Sequence, residues 1–188
     1  MNEVSTLNQT PRSDRLHIGV YGRRNAGKSS LINAICQHDV ALVSNVAGTT
    51  TDPVYKSIEL HGLGPCVLID TPGFDDEGAL GELRVSRTKE AVEQTDLAIL
   101  VFSAEYDPAD PLEQEAQWID LLKSKNTPVL AVLNKCDIVQ DPSALSAKIR
   151  ERFQLDPLLL SANDPSAQGL VHTALLRLLP ENASTPSI

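Results

Sequence analysis

Gly22-Arg23-Arg24-Asn25-Ala26-Gly27-Lys28-Ser29 fits the pattern Gly-x-x-x-x-Gly-Lys-Ser. It lies between an apolar run, Leu16–Tyr21, and a segment that turns helical near Lys28. The spacing has a chemical reason. Glycines at both ends let the backbone curl inward until its N–H groups converge on a phosphate. The first turn of the following helix adds partial positive charge. Lys28 can then bridge the β- and γ-phosphates of a nucleoside triphosphate while the Ser29 hydroxyl ligates magnesium. Gly22, Asn25, Ala26, Gly27 and Ser30 complete the phosphate-binding stretch.

Outward from this loop, strand-like runs at Leu16–Tyr21, Val54–Leu60, Cys66–Ile69, Leu97–Phe102, Val129–Leu133 and Leu158–Leu160 alternate with helical patterns. Most are short, apolar and poorly alternating, as strands buried on both faces are. The order predicts an α/β domain of the P-loop nucleotide-hydrolase type: a six-stranded, mostly parallel sheet with helices on both faces. His61-Gly62-Leu63-Gly64-Pro65 can turn a hairpin between the second and third runs, so one edge strand should be antiparallel. Asp110-Pro111-Leu112-Glu113 predicts a helix start with Asp110 as N-cap, Pro111 at N1 and Glu113 closing a capping box. Leu112, Ala116, Ile119 and Leu122 would then face the sheet. Asp141-Pro142 opens another helix in the same way. A last helix buries Val171, Leu175, Leu178 and Leu179 and stops at Pro180. The expected organisation is a flexible tail over residues 1–14, one domain over 15–180 and a second tail over 181–188.

Bulk properties narrow the partners. The 188 residues carry 16 Lys and Arg against 25 Asp and Glu, a formal charge of −9. Such a surface repels phosphate backbones and anionic membranes, so neither nucleic acid nor membrane is expected as a partner. No apolar run approaches the roughly 18 residues that span a bilayer. Met1–Asp14 lacks an apolar signal-peptide centre, which points to the cytoplasm. Cys36, Cys66 and Cys136 have no metal-ligand spacing and read as reduced, structural thiols.

Three further motifs follow predicted strands. Asp70-Thr71-Pro72-Gly73 ends the run Val67–Ile69, where such sheets bind ligands. Asp70 would hold magnesium through a water, and the Gly73 N–H would meet a γ-phosphate. Asn134-Lys135-Cys136-Asp137 ends Val129–Leu133. A buried Asp137 carboxylate can accept from both N1–H and N2–H of guanine, and adenine would leave it unpaired. The Lys135 stem would cover the base, and Asn134 would tie this turn to the phosphate loop. Ser161-Ala162-Asn163 ends the last strand, with the Ala162 N–H offered to guanine O6. Between the phosphate loop and Asp70, the stretch Asn45–Pro53 is long, polar and aperiodic. A threonine there can complete a magnesium shell only when a γ-phosphate is present, which makes an order–disorder switch. Thr49, Thr50 and Thr51 all qualify by chemistry.

Together, Gly22–Ser29, Gly48–Asp52, Asp70–Gly73, Asn134–Asp137 and Ser161–Asn163 resemble the five G motifs of translation-factor-class GTPases, and within them the TrmE–Era–EngA group. More narrowly, Gly22–Asn33, Gly48–Tyr55, Leu68–Phe74 and Gly81–Val85 resemble the HydF family, the maturation GTPases of FeFe hydrogenase. The likeness covers about residues 15–180.

The resemblance implies GTP hydrolysis to GDP and phosphate, with Lys28, Asn25, Thr50, Gly73 and Glu82 as catalytic groups. Thr50 matches the magnesium-binding threonine, beside Ser29 and Asp70. Asn25 matches the asparagine that holds potassium in place of an arginine finger, where the cation stabilises charge built up during transfer. Phe74 stands where Ras-like enzymes carry a water-positioning glutamine, and Glu82 falls where relatives keep a glutamate acting through the attacking water. The likeness further implies a potassium-dependent homodimer through the switch loops. In the longer family members it implies dimerisation and iron–sulfur domains and hydrogenase-maturation partners. Arg24, Thr51 and Asn163 depart from the usual proline, arginine and lysine of the wider group. The three cysteines do not supply the family's cluster ligands, so no cluster is expected on this chain. A second reading is a nucleotide-gated interaction module with incidental hydrolysis.

Overall fold

The computed structural model describes residues 15–36, 54–71 and 79–179, the side chains of residues 79–85 excepted. The expected tails and the Asn45–Pro53 loop lie outside the described residues. The strands are β1 Leu16–Gly22, β2 Val54–Leu60, β3 Gly64–Asp70, β4 Leu97–Ser103, β5 Val129–Asn134 and β6 Leu158–Leu159. The helices are α1 Lys28–Ile35, α2 Ala79–Gln94, α3 Glu113–Ser124, α4 Ser143–Phe153 and α5 Ala167–Leu178.

One six-stranded sheet runs in the order β2-β3-β1-β4-β5-β6. The edge pair β2–β3 is antiparallel and the other pairings are parallel, as the alternating strand and helix patterns predict. β4 explains the lack of period-two polarity: all seven of its residues are buried. Leu97, Ile99 and Val101 join a core with Leu31, Ile32 and Ile35 of α1 and Val171 and Leu175 of α5. Ala98, Leu100 and Phe102 face the opposite core, with Trp118, Ile119 and Leu122 of α3 and Leu145, Ile149 and Phe153 of α4. Ala91 of α2 packs on Val67 and Ile69 on that second face. In central strands covered on both sides, a buried polar side chain is costly unless it finds a hydrogen-bond partner, so apolar residues fill most of the run. Truncating fully buried Leu100 to alanine should cost about 2–5 kcal/mol.

Several boundaries differ from the sequence expectation. The hairpin turn is tighter, His61–Leu63, because Gly64 and Pro65 already pair with Leu60 and Glu59. Strand β6 stops at Leu159, although the Leu160 N–H still donates to the Leu133 carbonyl at 3.0 Å. Helix α3 does not start at Pro111: Leu112 is its N-cap, with φ 50°, and Glu113 does not close a capping box there. Asp110 instead accepts the Leu112 N–H at 2.8 Å and pairs with Arg23. A left-handed leucine costs about 1–2 kcal/mol, offset by its complete burial in the α3–α4 core. In α4 the helix likewise begins one residue late, with Asp141 accepting the Ser143 N–H at 2.9 Å. Among the described residues no helix is long and apolar enough to cross a membrane.

The connection leaving β1 leads toward β2 and β3 on one side, and β4 lies on the other. Such a reversal opens a crevice at the carboxyl ends of the strands. Gly22, Asp70, Ser103 and Asn134 end β1, β3, β4 and β5 there.

Candidate functional site

After β1 the Ala26 N–H donates to the Arg23 carbonyl at 3.0 Å, closing a turn over Arg23–Ala26. Gly27 has φ 91°, and a Cβ there would stand 2.3 Å from the Asn134 Nδ2. Conformation and neighbour both demand glycine. A Cβ on Gly22 would come within 2.8 Å of the Val101 carbonyl oxygen. The loop is thus seated tightly on β4 and on the end of β5. No side chain caps α1, so its first N–H groups face the loop as an anion-binding end. Asn25, Ser29 and Ser30 are exposed on this rim.

Lys28 is buried. Its Nζ donates to the Thr71 carbonyl and lies 3.8 Å from Asp70 Oδ1. Thr71 Oγ1 donates to the Val20 carbonyl at 2.7 Å, fastening the end of β3 to β1. Burial pushes the Asp70 carboxyl above the usual carboxylate range, while Lys28 and then Lys56 pull it back. A half-buried carboxylate and an exposed serine hydroxyl at the end of the crevice are hard oxygen donors, the kind magnesium takes. Among the described residues no cluster of three His, Cys, Asp or Glu forms a protein-only metal cage.

Asn134 is 2 % exposed and joins three segments. Its Nδ2 donates to the Ala26 carbonyl at 3.0 Å, and its Oδ1 accepts the Ala162 N–H at 2.9 Å. That second bond alters one expectation: the Ala162 N–H is engaged by Asn134 rather than offered to a base. Lys135, with φ 65°, donates to the Asn25 carbonyl at 2.8 Å and to Glu105 Oε2 at 3.0 Å. Asp137 is exposed rather than buried. The reason is the turn closed by Ile138 N–H to the Lys135 carbonyl at 3.1 Å, which projects beyond the end of the sheet. Ser161 is half-buried and Asn163 exposed at the same end.

The structure therefore brings Gly22–Ser30, Asp70, Asn134–Asp137 and Ser161–Asn163 to one end of the sheet. Thr50 and Gly73 lie outside the described residues. Glu82 belongs to α2, with its side chain outside them. Sequence reasoning missed Glu105, which anchors Lys135, and the partners of Arg23. Arg23 Nη1 and Nη2 each reach an Asp110 carboxylate oxygen at 2.8 Å, and its Nε lies 2.8 Å from Glu115 Oε1. No local signal announces a pair separated by 87 residues.

The family model described as 50S ribosome-binding GTPase matches residues 17–135. A tRNA modification GTPase MnmE of Bordetella petrii is 36% identical over 149 residues, covering 76% of this chain and 32% of the relative. A GTPase Der of Wolinella succinogenes is 33% identical over 156 residues, covering 81% of this chain and 32% of the relative. The chain thus spans about a third of the length of these curated relatives. A crystal structure of an Aquifex aeolicus Era variant bound to GDP and AlF4− superposes with a TM-score of 0.68 at 26% identity. That match covers 88% of this chain and 57% of the other.

Proposed function

Because the chain belongs to the 50S ribosome-binding GTPase family, we propose that it binds GTP across the carboxyl ends of β1, β3 and β5 and hydrolyses it to GDP and phosphate. One observation carries the reading. The Asn134 amide bonds to Ala26 across 108 residues of sequence, so a base-reading turn and a phosphate-binding loop are held as one unit.

Within it, the backbone of Gly22–Gly27 and the start of α1 would receive the phosphates, with Lys28 as the buried countercharge. Ser29, Asp70 and Thr50 would hold magnesium, which supplies positive charge to the phosphate oxygens. Asp137 would accept the two guanine N–H groups while Lys135 covers the base. Gly73 would meet the γ-phosphate, and Glu82 would orient the attacking water. Asn25, exposed at the outer bend of the loop, would ligate potassium, adding a second positive charge near the bridging oxygen.

The finer assignment is a potassium-stimulated GTPase domain of the HydF type, serving FeFe-hydrogenase maturation in the cytoplasm. Its partners would be the family's dimerisation and iron–sulfur domains and a second copy through the switch loops. Support comes from the motif stretches Gly22–Asn33 and Gly81–Val85 and from a charge of −9 that disfavours nucleic acid. Turnover of wild type and Asn25→Ala in potassium and in sodium tests the catalytic part. Equal rates in both salts remove potassium from the mechanism, and calorimetry without heat from GDP removes the nucleotide site. Deleting the gene and assaying hydrogenase activation tests the maturation role; unchanged activation overturns it.

A further inference from the structure

Arg23 is an unspecified position of the Gly-x-x-x-x-Gly-Lys-Ser pattern, yet its side chain is tied to two carboxylates and an aromatic ring. Its two Nη atoms each donate to Asp110 at 2.8 Å, and Nη2 also donates to Glu115 Oε2 at 3.0 Å. Its guanidinium lies over the Tyr106 ring, 4.5 Å from the centroid. The Glu115 side chain is fully buried in the first turn of α3, where the helix N-terminus also favours its charge. The connection that carries Tyr106 and Asp110 is held from its other side by Lys148 of α4. The Lys148 Nζ donates to the Pro108 carbonyl at 2.8 Å and to the Asp110 carbonyl. Arg23 is thereby fixed to a braced segment and not to a free surface loop.

The same residue opens the turn that presents Asn25, through the Ala26 N–H bond to the Arg23 carbonyl at 3.0 Å. Further along that turn the Asn25 carbonyl receives Lys135 Nζ, which is paired in turn with Glu105 at 3.0 Å. Glu105 and Asp110 stand on one connection, between β4 and α3. That single connection therefore grips the phosphate-loop turn near both ends, once through Arg23 and once through Lys135. A guanidinium serves here because its planar fork grips both Asp110 oxygens through parallel N–H groups while still reaching Glu115, a bidentate geometry that a lysine ammonium does not reproduce.

We propose that Arg23 is a positioning residue for hydrolysis: by pairing with Asp110 and Glu115 it sets the phosphate-loop turn against the β4–α3 connection. In this role it acts through the backbone of the turn, its guanidinium being engaged by Asp110 and Glu115. Displacing the turn by a fraction of an ångström penalises transition-state geometry more than ground-state binding. The inference rests on the hydrolytic reading of the site.

The test uses the 188-residue chain and two mild variants that keep Glu115 paired, Arg23→Lys and Asp110→Asn, together with their double mutant. Single-turnover rates are measured per bound nucleotide, beside Kd for a fluorescent GDP analogue and Tm. Each single variant should lose roughly tenfold or more in rate, with Kd for GDP changed by no more than about threefold. The double mutant should be no slower than Arg23→Lys, since both changes break one contact. Wild-type rates per bound nucleotide in both variants, or multiplicative losses in the double mutant, overturn the inference. An active wild type with unaffected variants overturns it alone, whereas an inactive wild type removes the hydrolytic reading as well.

Discussion

The side-chain Nδ2 of Asn134 donates to the Ala26 carbonyl at 3.0 Å, and the same amide accepts the Ala162 N–H at 2.9 Å. Neither backbone partner has a regular ladder position, so the side chain supplies what secondary structure does not. Asn134→Ala leaves an acceptor and a donor to find water, at about 1–3 kcal/mol for each that stays unpaired. Urea unfolding should register a loss of about 2–4 kcal/mol, with weaker GDP binding alongside. An unchanged urea midpoint would show that water replaces the amide without cost.

Gly27 meets the same amide from the other side. Its φ of 91° is costly for any L side chain, and a methyl group would stand 2.3 Å from Asn134 Nδ2. Gly27→Ala should therefore lose about 1–2 kcal/mol from backbone strain alone, plus whatever the displaced amide forfeits. Melting temperature and GDP affinity should fall together. Retained affinity with a lowered Tm would place the defect outside the phosphate loop.

Much of this frame was legible because its signals are local. The seven-residue buried run Leu97–Ser103 reads as a central strand wherever the chain goes next. The Gly22–Ser29 loop and the Val54–Asp70 hairpin carry their turn chemistry within themselves. What escaped depends on distant partners. Asp110-Pro111 has every mark of a helix start, yet Arg23 claims the Asp110 carboxylate from 87 residues away and the helix waits until Glu113. Asp137 looked buried on chemical grounds alone, but the turn of Lys135–Ile138 carries it outward. Glu105, the partner of Lys135, belongs to no motif. Side-chain choices of that kind are settled by packing, and spacing in the sequence does not encode them.

Acid should reveal the Arg23–Asp110 pair. The guanidinium beside it holds the Asp110 carboxyl down at about 2, below the unfolded value of about 3.9. A depressed folded value means that the contribution is fully present above pH ~4 and fades as pH falls toward ~2. With the side chain 22 % exposed, solvent screening leaves the pair contributing about 1–2 kcal/mol. Thermal melting from pH 5 to 2 should show a shallower acid limb for Asp110→Asn than for wild type. Parallel limbs would mean that the ion pair contributes nothing in solution.

Base selection offers the most discriminating measurement. A carboxylate at Asp137 accepts two hydrogen bonds, and guanine offers two donors side by side on one edge, N1–H and the 2-amino group. Asp137→Asn turns one acceptor into a donor, which opposes the guanine 2-amino group and removes a charge-assisted bond worth about 1.5–3 kcal/mol. GDP affinity should drop by roughly tenfold to more than a hundredfold. Xanthine keeps N1–H but carries an oxygen at C2, so the asparagine amide matches it donor to acceptor, and XDP should bind the variant better than the wild type. The exposed position of Asp137 lets the substitution leave the fold intact, so Tm without nucleotide should stay within a few degrees. If the variant keeps its preference for GDP over XDP, Asp137 does not read the base.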